Sequence, residues 1–181
     1  MKEVFECLIK RYKEKSFITI QRLFKMVEEW TKKKFETILF DSEIDRWGMN
    51  DTTFTERILN KSNLLIYIDE GEYQFGCYIE TEINSIGKWI NDSHSFIYSC
   101  NSLEQYPIKK SKEAIFISKL NEKELMKIGK EDIVLYKKEY FNVSYCKQSS
   151  FEYEKKKGVL IGKEGKKNPF IPQRIILFQM K

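Results

Sequence analysis

The sequence is poor in the residues from which active sites are most often assembled. It holds one histidine, His94, and four widely spaced cysteines in 181 residues. A single imidazole excludes a multi-histidine metal centre, and a Ser-His-Asp relay would have to run through His94 alone. Cys7, Cys77, Cys100 and Cys146 form no C-x-x-C pair, so a zinc site built from them would need four remote elements to converge. They read as reduced, mostly buried thiols; a redox role for Cys77, Cys100 or Cys146 depends on thiolate character, which sequence does not reveal. There is no G-x-S-x-G nucleophile elbow, and no helix-turn-helix, zinc-finger or RNP signature. No apolar run approaches the roughly 18 residues needed to cross a bilayer. Met1 to Glu6 is acidic and lacks an apolar core, unlike a secretory leader, so a cytoplasmic or nuclear location is expected. Charge of one sign is also scarce. Thirty-two basic residues face 27 acidic ones, a net +5 that permits polyanion contact without requiring it.

What is present suits a folded domain with a proper core. Val4, Phe5, Leu8, Ile9 and Tyr12 share one face of a predicted helix over 2–15, which Ser16 should interrupt. A second amphipathic helix is predicted from Thr19 to about Lys32, with Ile20, Leu23, Phe24, Val27 and Trp30 inward. We therefore divide the chain into 1–29, amphipathic helices packing on or extending the domain, and 30–181, the domain itself. Strands are predicted at 37–40, 64–68, 73–79, 95–100, 114–118, 133–137, 143–147, 159–161 and 174–180. Asp69 to Glu72 forms a hairpin loop between two of them. A short helix follows Thr53, where Thr53-x-x-Glu56 reads as a capping box, and 121–127 reads as a helical turn. Residues 158–172 look like a long mobile loop. The fold class is mainly β with some α: two antiparallel sheets forming a sandwich, with N-terminal and peripheral helices. Trp89, in a polar loop ahead of Phe96-Ile97-Tyr98, is expected to cover one end of the core, with Phe96 and Tyr98 sharing a strand face.

Each candidate for chemistry has a plainer reading. Asp41-x-Glu43-x-Asp45 opens like an EF-hand loop, but Arg46 and Thr52 stand where that loop needs glycine and glutamate. Gly158-x-x-x-Gly162-Lys163-Glu164 is one residue short of a P-loop and ends in an acid. His94 lies between Ser93 and Ser95, and neighbours along an extended chain face opposite ways. No pair of carboxylates stands out for glycosidase-like work. No catalytic residue, metal ligand or cofactor is assigned, and the chain is read as a non-enzyme. Lysine clusters carry more weight. Lys32-Lys33-Lys34, Lys109-Lys110-x-Lys112, Lys155-Lys156-Lys157 and Lys163-x-x-Lys166-Lys167 are candidate polyanion contacts, with Tyr106, Tyr153 and Phe170 available for stacking on bases.

Several short blocks, in order from about Trp30 to Lys181, resemble the TLDc domain of the oxidation-resistance proteins. Ile38-Leu39-Phe40-Asp41-Ser42-Glu43-x-Asp45 resembles the opening strand and turn. Thr53-Phe54-Thr55-Glu56-Arg57 resembles the helix after it, and Gln74-Phe75-Gly76-Cys77-Tyr78 a "VFGGF" strand. Gly87-Lys88-Trp89 through Ser95, Phe96 and Ser99 is similar to "GKWxxDSxSFLFSL", the most specific block. Phe170 to Met180 resembles the closing strand. Two departures mark a divergent, protist-type member: 128–136 keeps one glycine of a glycine-rich block, and Arg174-Ile175-Ile176-Leu177-Phe178 lacks the closing strand's acid. The resemblance implies the sandwich fold and signature positions Asp41, Ser42, Phe54, Gly76, Gly87, Trp89, Ser95 and Phe96. It also implies a role in oxidative-stress response, no established catalytic residues, and a protein partner, for some members the vacuolar proton pump. A stress-responsive nucleic-acid-binding regulator using the lysine clusters is the alternative.

Overall fold

Leu64-Leu65-Ile66-Tyr67-Ile68 and Ile175-Ile176-Leu177-Phe178 are apolar at every position, without the alternation of a sheet wetted on one side. Such strands need cover on both faces. A computed structural model describes residues 14–109, 113–138, 143–154 and 156–181 and supplies that cover. Its elements are helices α1 (Glu14–Thr31) and α2 (Thr53–Ile58), with strands β1 (Phe35–Asp41), β2 (Leu64–Asp69), β3 (Gln74–Ile79), β4 (Trp89–Ile90), β5 (Phe96–Ser99) and β6 (Glu104–Pro107). The remaining strands are β7 (Ile115–Ile117), β8 (Glu124–Ile128), β9 (Ile133–Tyr136), β10 (Ser144–Cys146), β11 (Asn168–Phe170) and β12 (Arg174–Met180). They form two antiparallel six-stranded sheets, ordered β1-β12-β2-β3-β5-β6 and β11-β10-β9-β8-β7-β4.

Period-two alternation divides the first sheet's side chains between two cores. Leu64, Ile66, Ile68, Cys77, Ile97, Ile175 and Leu177 meet Ile115, Ile117, Met126, Ile128, Ile133 and Leu135 in the main cluster between the sheets. Leu65, Tyr67, Tyr78, Phe96, Tyr98, Ile176 and Phe178 face the other way, onto Ile20, Leu23, Phe24 and Val27 of α1. Phe96 and Tyr98 therefore do share a face. Phe24 stacks on Phe35, with centroids 4.7 Å apart, and Trp30 meets Phe96 edge-on at 5.6 Å.

Several local expectations fail, each for a visible reason. α1 runs unbroken through Ser16, because a lone serine costs a helix about half a kcal/mol, less than burying any one of its four apolar anchors returns. The predicted helix over 2–15 and Cys7 lie largely or wholly outside the described residues. Residues 121–127 are mostly strand, since Met126 and Ile128 alternate into the core across the β8–β9 pairing. Residues 159–161 form no strand: Gly158 and Gly162, with φ of +64° and +65°, bound a tight turn that pushes Leu160 and Ile161 into the core. The 158–172 stretch is accordingly anchored, and its Asn168–Phe170 pairs with β10. At α2 the N-cap is Thr52, and no capping box forms. Asp51 Oδ1 instead accepts the Thr53 amide at 2.8 Å.

Trp89 does not seal an end of the sandwich. Its strand partner Phe116 and neighbour Ile90 settle the direction: Ile90 points inward, so Trp89 stands half-buried on the outer face of the second sheet, 5.4 Å from the Phe116 ring. Trp47, 8% exposed, is the buried indole of the main cluster.

Candidate functional site

The signature positions do structural work. Asp41 ends β1 and forms a buried two-point ion pair with Arg174 of β12, whose Nε donates to Oδ1 at 2.9 Å; Arg174 Nη1 also reaches Glu43 at 2.7 Å. The Ser42 amide donates to the Ile175 carbonyl and its hydroxyl accepts the Ile175 amide, both across the same strand ends. The carboxylates that suggested a calcium loop are thus engaged by a guanidinium and by backbone amides of the turn. Gly76 lies opposite Tyr98, whose phenol donates to the Ile66 carbonyl at 2.9 Å. A Cβ at 76 would overlap that carbonyl oxygen and come within 2.7 Å of the phenol, so only glycine fits. Phe54 of α2 packs edge-on against Phe40. Gly87 takes φ of +68° and donates its amide to Ile117 just ahead of β4.

The Asp92-Ser93-His94-Ser95 run is a turn clamp. Buried Asp92 accepts the Glu80 amide at 2.6 Å, the Thr81 amide at 3.2 Å and the His94 amide at 3.0 Å, while Ser95 Oγ donates to its carbonyl. The His94 imidazole is 73% exposed and faces Glu80, not Asp92. A relay is therefore not assembled here.

Two more ionic groups are buried: Asp132, the acid that the 128–136 block keeps from the family's glycine-rich pattern, and Lys137, which nothing in the sequence marked. Asp132 is fully buried and accepts from Ser149 Oγ, the Ser149 and Ser150 amides and Tyr153 Oη, all within 3.0 Å. It draws the 149–153 loop against the β8–β9 turn, where Gly129 (φ +57°) leaves room for its carboxylate. Lys137 is also buried, and its ammonium donates to the carbonyls of Met49, Lys119 and Leu120, tying three loops together. Burial lowers its pKa from the ordinary lysine value. Burial likewise raises the Cys77 and Cys146 thiols well above their usual range and pushes Cys100 up to about 12. All three described thiols are free and held in the protonated, less nucleophilic form.

The 149–153 loop also shapes a wide hollow on the surface. An isolated bridge joins Phe151 to Ile108, and the Lys109 amide and Glu152 amide donate across the same junction to Ser150 and Pro107. Beside it opens a groove of about 1110 Å3 whose walls include Lys109, Lys147, Lys156, Lys157 and Lys166. Three of the lysine clusters separated in sequence thus contribute to one surface. Glu152, Glu154 and Glu164 line it too. Lys156 pairs with Glu104, Lys157 with Glu164 and Lys147 with Glu131. Lys167 lies apart, 4.5 Å over the Tyr145 ring and 3.6 Å from Glu131. Lys163 is exposed and not among the groove's walls. Lys110, Lys112 and Lys155 lie outside the described residues. The aromatics expected to stack on bases are not available for it. Tyr106, Tyr153 and Phe170 are all buried, the first two against each other with centroids 5.2 Å apart.

Among the described residues, no three His, Cys, Asp or Glu side chains stand together as a metal would require, and no helix is long and apolar enough to cross a membrane. A search of curated proteins gives no significant match. The family model of the TLDc domain matches residues 12–175, from just ahead of α1 into β12. With that match over most of its length, and with the sandwich that its signature residues hold together, the chain belongs to the TLDc-domain family.

Proposed function

We propose that this TLDc protein works by docking onto a partner protein and not by catalysis. Its setting is oxidative-stress response or control of a larger assembly such as the vacuolar proton pump, in the cytoplasm or nucleus. The supporting observation is how the charged groups are spent. Asp41, Asp92, Asp132, Lys137 and Arg174, the buried ionisable groups with the strongest contacts, each hold a loop or strand end in place. Among the accessible charges, lysines from three separate stretches of the chain meet on the wide groove beside Phe151. An open surface carrying charges of both signs can be matched by complementary charges on a protein partner. The test is affinity capture with the full chain as bait, with and without peroxide. Recovery of a specific partner, in an amount that changes with peroxide, is expected; recovery of none would overturn the proposal.

The convergence of Lys109, Lys156, Lys157 and Lys166 favours a second reading, a nucleic-acid-binding stress regulator. It predicts affinity that falls steeply as salt rises. Affinity indifferent to salt would remove it.

A further inference from the structure

We infer that the groove beside Phe151 receives an extended acidic segment of the partner protein. The inference rests on the docking reading above and names where, and with what chemistry, docking occurs.

Size comes first. At about 1110 Å3 the groove is broad and open to solvent, at the upper end of the roughly 300–1,000 Å3 of small-molecule sites, so it has room for a stretch of polypeptide. Charge comes second. Five lysines and three glutamates line it; Lys147, Lys156 and Lys157 already pair with Glu131, Glu104 and Glu164, so the attraction for an incoming carboxylate rests on Lys109 and Lys166. Lys109 Nζ meets only the Ser149 carbonyl, and Lys166 makes no ion pair among the described residues. The Lys156–Glu104 and Lys157–Glu164 pairs are exposed; such pairs contribute little and exchange readily for a better-placed carboxylate.

The same walls disfavour a nucleic-acid strand. Glu152, Glu154 and Glu164 would face a backbone charged at every phosphate, whereas a polypeptide can set carboxylates opposite lysines and neutral amides opposite glutamates. Binding a single strand without sequence preference also relies on exposed rings for stacking, and the groove's aromatics, Phe151 and Tyr153, are 0% and 6% exposed. The junction at 107–109 and 150–152 holds its two segments in antiparallel, strand-like contact and gives the groove one fixed side.

The experiment is fluorescence anisotropy on the full chain, using as probe a short labelled peptide of alternating glutamate and leucine. A single-stranded oligothymidylate of equal charge serves as the competing ligand. Binding of the peptide should weaken about tenfold, roughly 1.4 kcal/mol, in the Lys109→Glu, Lys166→Glu double variant. It should be unchanged in Lys25→Glu, which reverses an exposed charge on α1. The milder Lys109→Gln, Lys166→Gln pair should give a smaller loss of the same kind, and unchanged melting temperatures show that the fold is intact. No peptide binding, equal losses in the groove and α1 variants, or tighter binding of the oligonucleotide would each overturn the inference. Capture of the same partner by the double variant would overturn the groove assignment while leaving docking itself standing.

Discussion

At the scale of single residues, two tryptophans exchange the roles that local sequence suggests. Trp89 sits in the most recognisable stretch of the chain, yet strand alternation turns it outward beside Phe116. Trp47, in a loop with little to mark it, is buried between the sheets with its indole N–H unpaired. Trp47→Ala should cost about 3–5 kcal/mol, in line with deletion of a buried aromatic ring. Trp89→Ala should cost about 1 kcal/mol, closer to the loss of one half-exposed cross-strand contact. Trp47→Phe should recover most of the loss, because it removes a buried donor that has no acceptor. Melting temperatures of the three variants check this ranking, and a larger loss at Trp89 would contradict it.

At the scale of elements, the cover that α1 gives the first sheet decides whether that sheet stays in solution. Leu23→Asp would set a charge against Tyr67, Tyr98 and Phe178, so the expected outcome is dissociation of the helix or loss of the fold. Protease sensitivity within 14–31 distinguishes the two: cleavage there with an intact sandwich means that only the helix has left. The elements legible in the sequence are largely those with both faces buried, because β2, β3, β5 and β12 carry unbroken apolar or aromatic runs. Three that gave no signal lie at sheet edges, while β8, an inner strand, reads locally as a helical turn. β4 has two residues, β6 ends in Pro107, and β11 is Asn-Pro-Phe. An edge strand makes half the backbone pairs of a central one and tolerates proline, so its composition need not announce it. The lysine clusters were equally legible, but their meeting was not. It depends on Asp132 drawing in a loop 17 to 21 positions away. The Asp41–Arg174 pair spans 133 positions, far beyond any periodic signal.

At the scale of the whole molecule, charge links stability to acidity through the outer edge of the groove. Lys147 and, after it, the Tyr145 phenol hold the Glu131 carboxyl at about 2, against an ordinary 4.5. A depressed folded-state pKa means that the ionised carboxylate favours the fold. Its contribution is fully present above pH 4.5 and is lost as the pH falls toward 2. Glu131→Gln should therefore lower the melting temperature slightly at neutral pH and flatten its decline through that acid window. A variant whose acid decline parallels the parent's would show that Glu131 is not the group responsible.

The position of β12 has a consequence for how the protein is made. It lies between β1 and β2 in the first sheet, pairing along both, although those strands precede it in the sequence by more than a hundred residues. During synthesis β1 and β2 leave the ribosome with their partner still untranslated, and each presents an apolar edge that nothing yet occupies. The gap closes only when Arg174 to Met180 arrives and slides in, bringing the counter-charge for Asp41 with it. Pairing over such separations is slow and leaves nascent chains open to aggregation. The first sheet is therefore closed by the strand that comes last of its six in chain order.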